Sequence, residues 1–482
     1  MAYKDLNEFI ERLEKDGELL RIKDEIDPVL EAGEIADRSV KSGGPALLFE
    51  QPKGSKFPLF MNGFGTWKRM LKSLEVNSID EISSEISDLL TPQIPIKVSE
   101  KFKMLSKLAG LKNVIPKIVK NAPCQEVVLK GDDVNLDDLP VIKCWPRDGG
   151  RYFTLPLVIT KNPETGIRNC GMYRLQIYDK KTTGMHWHRH KGGARHYAMM
   201  EAMNKPLEAA VAVGPDPAVT YASTAPLPDD VDEFLFAGFL RKSPVELVKC
   251  KTVDLEVPAN SQFVLEGIIP PRIRRVEGPF GDHTGFYSEP DEYPVFEIKC
   301  ITHRKNAIYP ATIVGRPPME DCFLGKATER IFLPLLKAVF PEIVDINLPF
   351  EGVFHNMLLV SIDKRYPGHA FKVMNGLWGS GQMAFTKVII IVDKDVNVQD
   401  TSETVWKALN HIDPERDVIF SRGPVDVLDH ASSLPVFGSK MGIDATRKLM
   451  EEGISRPFPE EMKMDEDIKN LVNEKWKKLG FK

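Results

Sequence analysis

The spacing of hydrophobic and polar positions divides the chain into three parts. In the opening stretch, MAYKDLNEFIERLEKDG, apolar residues recur on one helix face at Leu6, Phe9, Ile10 and Leu13. This pattern predicts an amphipathic helix that ends near Gly17, and not a signal peptide. The runs GGPALLFEQ and FPLFMNGFG predict strands, and SKLAGLKNVIPKIVKNAP predicts a helix that continues into a linker. Residues 1–120 are therefore expected to form an α/β domain.

From about residue 124 the apolar runs become shorter and more closely spaced. QEVVLKG, PLVITKN, EAAVAVG, FVLEGII and VFEIKCITHRKNAIYPATIVG are β-rich, and this spacing favours a barrel or sandwich over βαβ units. After Gly315, helical patterns (ERIFLPLLKAVF, AFKVMNGLWGSG and SETVWKALNHI) alternate with the strand patterns MLLVSID and KVIIIVD. We therefore predict a multi-domain α/β chain with a β-rich domain over 121–315 and an α/β domain over 316–482. A charged helix is expected at the end of the last domain.

Composition narrows the class of protein. The chain has 482 residues, of which 42% are hydrophobic and 28% charged, as in ordinary globular proteins. The net charge of −5 gives no broad attraction to nucleic acids, and no apolar run approaches the roughly 20 residues of a membrane-spanning helix. The six cysteines are scattered without a CxxC pair, which argues against a disulfide framework or a cysteine zinc site. These features predict a cytoplasmic enzyme that does not bind nucleic acid.

The stretch TGMHWHRHKGGARHY concentrates histidines in a chain that has only ten. His186, His188 and His190 stand at alternate positions, and side chains two apart on a strand point to the same face. One interpretation is a zinc site, which would make the protein a zinc-dependent hydrolase. The other is the solvated face of a hairpin. Spacing alone does not decide between them.

Three other stretches hold polar residues that could carry chemistry. RNCGMYRLQIYD contains Asn169 and Arg174, DDVDEFLFAG contains Glu233, and VEGPFGDHTGFY places Glu277 and Asp282 around a turn. Each has a simpler interpretation, because turn carboxylates are commonly solvated and strand arginines commonly form surface salt bridges.

Taken together, these motifs resemble the UbiD-type decarboxylases. NCGMYRLQIYDKKTTGMHWHRHKGGA, EGPFGDHTGFY, AIYPATIVGRPPMED, FPEIVDINLPFEG and SKMGIDATRK carry the resemblance, which runs in preserved order from about residue 5 to 450. It implies an N-terminal α/β region, a central split β-barrel similar to flavin reductases, and a C-terminal α/β domain used to form dimers or hexamers.

The activity implied by the resemblance is reversible, non-oxidative decarboxylation of an aromatic or α,β-unsaturated carboxylic acid, with CO₂ as product. DHTGFY and SKMGIDATRK are most similar to the enzymes that decarboxylate polyprenylated hydroxybenzoates in quinone synthesis, whose substrates would bring the protein to a membrane surface. Other members of the family are carboxylases that run in the CO₂-fixing direction. A non-catalytic flavin-binding protein would be expected to lack an intact catalytic set.

The resemblance also implies a cofactor, prenylated FMN, supplied by a partner flavin prenyltransferase and bound with Mn²⁺ or Mg²⁺ and often K⁺. By motif match the divalent metal ligands are Asn169, His190 and Glu233, a donor set that suits Mn²⁺ or Mg²⁺ better than zinc. Lys372 has two open interpretations, as a phosphate contact or as a solvated helix residue. The other implied flavin contacts are Met172, Tyr173, Arg174, His186, Trp187, His188, Lys191 and Gly192, and the implied potassium site is formed by Ala222, Ser223 and Ala225.

The catalytic set implied by the resemblance is Glu277, Arg174 and Asp282. Two neighbouring carboxylates do not both ionise easily, so we expect the pKa of one to rise and that group to act as the acid. Arg174 would organise the pair and orient the substrate carboxylate. Glu277 is the first choice of proton donor and Asp282 the alternative, while His283 is expected either near the pocket or in a structural role.

Overall fold

The computed structural model describes residues 2–90, 114–188, 191–228, 231–454, 456 and 458–480. Its first helix is the amphipathic helix that the sequence predicts, with the side chain of Asp5 accepting a hydrogen bond from the Glu8 amide at its start. A four-stranded sheet follows, in which two predicted strands pair in antiparallel fashion. The elements of this part are α1 (Leu6–Lys15), β1 (Leu19–Ile26), α2 (Glu31–Lys41), β2 (Ala46–Pro52), β3 (Leu59–Met61), α3 (Trp67–Ser73) and α4 (Asp80–Leu90).

The helix predicted over SKLAGLKNVIPKIVKNAP is wrong in its described part. Residues 106–113 lie outside the described residues, and Lys117–Val119 form a strand, β4, that pairs in parallel with β12 (Glu246–Lys249). Pro116 explains the difference, because a proline disfavours helical backbone at the residue before it, here Ile115. Ile118 and Val119 therefore lie on a short strand, where Ile118 is exposed.

The central part is built on an eight-stranded antiparallel sheet. Six of its strands follow the order β10-β18-β14-β11-β7-β8, and the other two, β5 and β15, both pair with β18. Its central strands are buried on both faces: Val211 and Leu265 pack in one core, and Ala210 and Val264 in the other. The elements are β5 (Val127–Lys130), β6 (Tyr152–Phe153), β7 (Pro156–Lys161), β8 (Arg168–Met172), β9 (Leu175–Gln176), β10 (Thr182–Gly184), α5 (Gly192–Ala202), β11 (Leu207–Val213), α6 (Pro217–Ala222), α7 (Glu233–Arg241), β13 (Glu256–Pro258), β14 (Phe263–Ile269), β15 (Arg274–Glu277), β16 (Phe280–Gly281), β17 (Tyr287–Ser288), β18 (Asp291–His303) and β19 (Tyr309–Pro310).

The predicted split barrel is not observed as a closed barrel among the described residues. β8 and β10 form the two ends of the strand path, and the segment between them contributes β9, which pairs with β6 in a separate two-stranded sheet. The sheet therefore stays open on this side.

The C-terminal part alternates helices and strands, as predicted. Its five-stranded sheet has the order β20-β21-β22-β24-β23, with β21, β22 and β24 parallel. The charged stretch EEMKMDEDIKNLVNEKWKKLG, predicted to be a terminal helix from residue 460, is helical only from Glu466, and none of the helix's side chains is buried. No helix in the described ranges is long and apolar enough to cross a membrane. The elements are α8 (Glu320–Val339), β20 (Ile343–Asn347), β21 (Met357–Ile362), α9 (His369–Trp378), β22 (Val388–Asp393), α10 (Thr401–His411), α11 (Pro414–Asp417), β23 (Val418–Pro424), β24 (Phe437–Asp444) and α12 (Glu466–Trp476).

Candidate active site

A cavity of about 910 Å³ is lined by residues of both the central and the C-terminal part. The central part contributes most of the polar groups, from β8, the loop after it and the start of α5. The C-terminal part contributes a wall with apolar side chains, formed by Phe354, Gln382, Phe385 and Leu428. A cavity of this volume is typical of a cofactor or small-molecule site.

Arg174 lies on the wall of this cavity between two carboxylates. Its Nε and Nη2 atoms donate to Glu277 Oε1 and Oε2 at 2.8 and 3.1 Å, and Nη1 donates to Asp282. Phe280 lies 4.4 Å from the guanidinium carbon, and Ser288 Oγ is 3.3 Å from Nη2. Glu277 ends β15 and Asp282 follows β16, so the turn that joins these strands positions both acids. The structure thus brings together the three residues of the predicted catalytic set.

The charges of this set differ from the expectation that one carboxyl would have a raised pKa. Burial favours the protonated form of Glu277, but the hydrogen bond from His186 and the charge of Arg174 lower its pKa to about 2. Burial also opposes ionisation of Asp282, and Arg174 and His283 hold its pKa well below its usual range. The expectation was wrong because the arginine contacts both carboxylates directly, and its attraction outweighs their mutual repulsion.

The two described members of the histidine run, His186 and His188, contact each other and the acid–arginine set. His186 Nδ1 lies 3.0 Å from Glu277 Oε2, and its Nε2 lies 3.3 Å from His188 Nε2. The first histidine is therefore part of the acid–arginine set. His190 lies outside the described residues. Within the described ranges, no three or more His, Cys, Asp or Glu side chains are grouped to hold a metal, so the zinc-hydrolase alternative finds no support.

Asn169 and Glu233, the other two predicted ligands of a divalent metal, both line the cavity. Glu233 begins α7, and its Oε2 accepts a hydrogen bond from the Cys170 amide at 2.8 Å, next to Asn169 in β8. Burial raises the pKa of Glu233 to about 7, and a bound cation would stabilise the ionised form. A Cβ atom on Gly192 would lie 2.0 Å from Asn169 Oδ1, so any residue other than glycine at this position would displace the amide. These oxygen donors fit a hard divalent cation.

The start of α5 offers an anion site at the same end of the cavity. Lys191 occupies the N-cap position, and no side chain of the described residues caps the helix there. Lys191, Gly192 and Arg195 line the cavity. A helix N-terminus with flanking cations attracts phosphate, so this end suits the phosphate of a flavin.

The remaining predicted flavin contacts divide into two groups. Met172, Tyr173 and His188 line the cavity. Trp187 is instead buried behind Tyr173, with ring centroids 6.1 Å apart, and belongs to the hydrophobic core. It therefore supports the wall of the cavity and does not form it.

The predicted potassium residues lie at the end of α6. Ser223 and Ala225 line the cavity. The Ser223 hydroxyl donates to the Thr220 carbonyl at 2.7 Å, and its own carbonyl accepts from the Met172 amide at 3.1 Å. The Ala222 carbonyl accepts from the Ala225 amide at 3.2 Å.

Lys372 is not placed to contact a cofactor phosphate. It pairs with Glu342, and its side chain is 48% exposed on α9. Its second interpretation, a solvated helix residue, describes it better.

Sequence reasoning missed the contribution of the C-terminal part to this site. His283 hydrogen-bonds to Asp282 and also contacts His355, which comes from the loop before β21. Asp321, at the start of α8, lines the cavity beside them. The sequence offered one relevant fact, that His355 in FEGVFHN is one of only ten histidines, but it has no motif of its own.

Family models of the 3-octaprenyl-4-hydroxybenzoate carboxy-lyases match most of the chain. The N-terminal domain matches residues 10–86, the Rift-related domain 117–317 and the C-terminal domain 322–445. The chain belongs to the UbiD family. The protein is therefore a carboxy-lyase, and the resemblance inferred from its motifs is confirmed.

Relatives of this UbiD-family chain match it along nearly its whole length. An uncharacterized protein of Archaeoglobus fulgidus is 53% identical over 481 residues, covering 99% of both chains. The vanillic acid decarboxylase of Sedimentibacter hydroxybenzoicus, in its closed form, has a TM-score of 0.84 at 31% identity and covers 99% of both chains. HmfF of Pelotomaculum thermopropionicum in complex with FMN has a TM-score of 0.80 at 30% identity, covering 97% of this chain and 99% of its own. An evolved dimeric form of HmfF was solved with prFMN.

Proposed function

We propose that this UbiD-family protein removes CO₂ reversibly from an aromatic or α,β-unsaturated carboxylic acid with the help of prenylated FMN. The observation that carries the proposal is Arg174, which is held between Glu277 and Asp282 on the wall of a cavity of about 910 Å³. An arginine in this position can bind a substrate carboxylate while the two acids exchange a proton with the reacting carbon.

The cofactor proposal rests on the fit of the chain's own residues. Lys191, Gly192 and the start of α5 would hold the flavin phosphate, while Met172 and Tyr173 would face the ring system. Relatives solved with FMN and prFMN support this assignment. When bound, the prenylated flavin would delocalise the electron pair of the broken carbon–carboxylate bond until that carbon takes up a proton. A partner flavin prenyltransferase would supply it.

We assign a divalent cation, Mn²⁺ or Mg²⁺, to Asn169, Glu233 and His190. The support is the juxtaposition of Asn169 and Glu233 in the cavity, where a cation would offset the buried carboxylate and the flavin phosphate. A potassium ion at Ala222, Ser223 and Ala225 is proposed on the family resemblance alone. The Trp187 indole would act indirectly by supporting Tyr173.

In the proposed mechanism, Arg174 orients the substrate carboxylate, and Phe280 shields one face of the guanidinium from water. Asp282 or Glu277 then delivers a proton to the carbon that has lost CO₂. His186 fixes Glu277 through its 3.0 Å hydrogen bond. In the CO₂-fixing direction the same acids would remove the proton.

An aromatic acid suits the apolar wall formed by Phe354, Phe385 and Leu428. Similarity to the vanillic acid decarboxylase favours a compact phenolic acid as the substrate. The family description, which names an octaprenyl hydroxybenzoate, favours a polyprenylated acid. We propose the compact acid, because the vanillic acid decarboxylase is similar to this chain over 99% of its length. We also propose that the protein is a homo-oligomer formed through its C-terminal part.

The test is to co-express the chain with a flavin prenyltransferase, purify it without oxygen, and measure cofactor mass, absorbance and metal content. We expect prenylated FMN, about one manganese per chain, and CO₂ release from 4-hydroxybenzoate or vanillate. Arg174→Gln should abolish turnover, while Arg275→Gln, an exposed arginine on the same strand as Glu277, should not. A flavin-free protein, or one whose activity survives Arg174→Gln, would refute the proposal.

A further inference from the structure

A continuous chain of polar contacts leaves the acid–arginine set and enters the C-terminal part. Arg174 donates to Asp282, whose Oδ1 lies 2.9 Å from His283 Nδ1. His283 Nε2 in turn lies 3.2 Å from His355 Nε2, with the two rings nearly perpendicular at 88°. Because His355 precedes β21, this contact joins the central and C-terminal parts.

The two facing nitrogen atoms need one proton between them. Two Nε2 atoms form a hydrogen bond only when one carries a proton and the other does not. Burial opposes the charged form of His283, but the hydrogen bond and charge of Asp282 outweigh it and raise its pKa. Burial lowers the pKa of His355, which is therefore the neutral acceptor. In its protonated form, which these contacts favour, His283 has one N–H directed at Asp282 and the other at His355.

The other groups around His283 favour this charge. Asp321 and Asp426 act on it electrostatically with the sign that favours the cation, as Asp282 does. The Phe354 ring lies 5.5 Å from the His283 ring. Arg174, the nearest cation of the acid set, is bonded to the far side of Asp282.

Decarboxylation needs one proton for every CO₂ released, and the acid set holds none at neutral pH, because both carboxylates are paired with Arg174. We propose that His283 supplies this proton through Asp282, and that His355 is a positioning residue that holds the imidazole in the donating orientation. The inference rests on the proposed decarboxylase function. It extends that function by naming the source of the proton.

The proton on His283 Nδ1 passes to Asp282 Oδ1, leaving neutral His283 with its Nε2 proton. Asp282 then donates that proton to the substrate carbon, which keeps the electron pair of the broken bond to CO₂, and Asp282 returns to a carboxylate. His283 regains a proton from water after product release, since its side chain is 21% exposed. Carboxylation runs the same steps backwards.

The experiment compares cofactor-loaded wild type with His283→Gln, His355→Gln and His430→Gln. His430 is the matched control, because it contacts Thr284 of the same loop from the C-terminal part without touching Asp282 or His283. The readouts are the pH profile of kcat for 4-hydroxybenzoate or vanillate and the incorporation of deuterium from D₂O into the corresponding phenol. The exchange measures proton transfer to the carbon without CO₂ release.

We expect wild-type kcat to fall as pH rises through the His283 pKa. His283→Gln should slow both decarboxylation and exchange by about 100-fold, which is the scale of general acid catalysis, and should abolish this alkaline fall. Added imidazole should restore part of the rate, and His355→Gln should move the alkaline fall to lower pH. His430→Gln should match wild type. A His283→Gln enzyme with wild-type exchange and pH profile would overturn the inference.

A second measurement does not depend on activity. Histidine ring resonances in the NMR spectrum of the loaded protein should include one that titrates with a raised pKa. This resonance should disappear in His283→Gln, and its pKa should drop in Asp282→Asn. If wild type binds cofactor but shows no turnover or exchange on any acid, the decarboxylase proposal fails, whatever the NMR result. If turnover is normal and His283 titrates as an ordinary histidine, only the proton-supply inference fails.

Discussion

The Nδ1 atom of His186 lies 3.0 Å from Oε2 of Glu277, although 91 residues separate them along the chain. The opposite oxygen of the same carboxylate accepts from Arg174. Glu277 is therefore fixed from two sides and has no exposed side-chain surface. Such a carboxylate cannot rotate freely, and its charge depends on the two partners that surround it.

Replacing this carboxylate should stop the reaction without emptying the site. We expect Glu277→Gln to retain flavin and metal, because Asn169, Glu233 and Lys191 are separate from it, and to lose turnover by 100-fold or more. Cofactor absorbance, metal content and CO₂ release measure the three properties on one sample. Full activity of the purified variant would remove Glu277 from the catalytic set.

Glu277 should also make the free energy of unfolding depend on pH in the acid range. The pKa of Glu277 is lowered from its usual 4.5 to about 2 in the fold, so the folded state favours the ionised form. A lowered pKa contributes stability that is fully present above about 4.5 and is lost as pH falls towards 2. Wild type should therefore lose more free energy of unfolding between pH 5 and 3 than Glu277→Gln does. Urea titrations at both pH values measure the difference, and parallel losses would contradict the assignment.

Local patterns were sufficient to predict most elements, whereas the members of the acid–arginine set were implied by the family resemblance. The helix with the face of Leu6, Phe9 and Leu13 follows from its period, and the buried strand KVIIIVD follows from a short apolar run rich in β-branched residues. β4 was missed because the helix predicted over SKLAGLKNVIPKIVKNAP took no account of Pro116. The open path of the central sheet depends on β9 pairing with β6, a tertiary choice that no short segment specifies.

The charge state and the far side of the site could not be predicted from sequence. Two carboxylates near each other suggested a raised pKa, but the outcome depends on the 2.8 Å contact of Arg174 with Glu277. The contact of His283 with His355 spans 72 residues and joins the loop after β16 to the loop before β21. Sequence spacing contains no information about such distances.

Glu233 should be needed for the cation. Glu233→Gln keeps the shape of the side chain and an oxygen that can accept from the Cys170 amide, but removes the charge. We expect metal content to fall by at least tenfold, while the thermal unfolding temperature of the metal-free protein stays close to that of wild type. Asp395→Asn, which removes a surface carboxylate paired with Arg447, is the control and should bind metal normally. Equal metal content in both variants would exclude Glu233 as a ligand.

A single methyl group should disrupt the cofactor site at Gly192. The added Cβ would lie 2.0 Å from Asn169 Oδ1, well inside van der Waals contact, so the amide must move away from the position next to Glu233. Gly192→Ala is therefore expected to lose metal and flavin together and to keep its fold, because the clash falls on a side chain at the cavity wall. Gly379→Ala is a matched control, since its Cβ would meet only backbone oxygens at 3.5 and 3.6 Å. Cofactor absorbance, metal analysis and circular dichroism measure the outcome. Normal flavin and metal content in folded Gly192→Ala would show that the Asn169 amide does not help to hold either group.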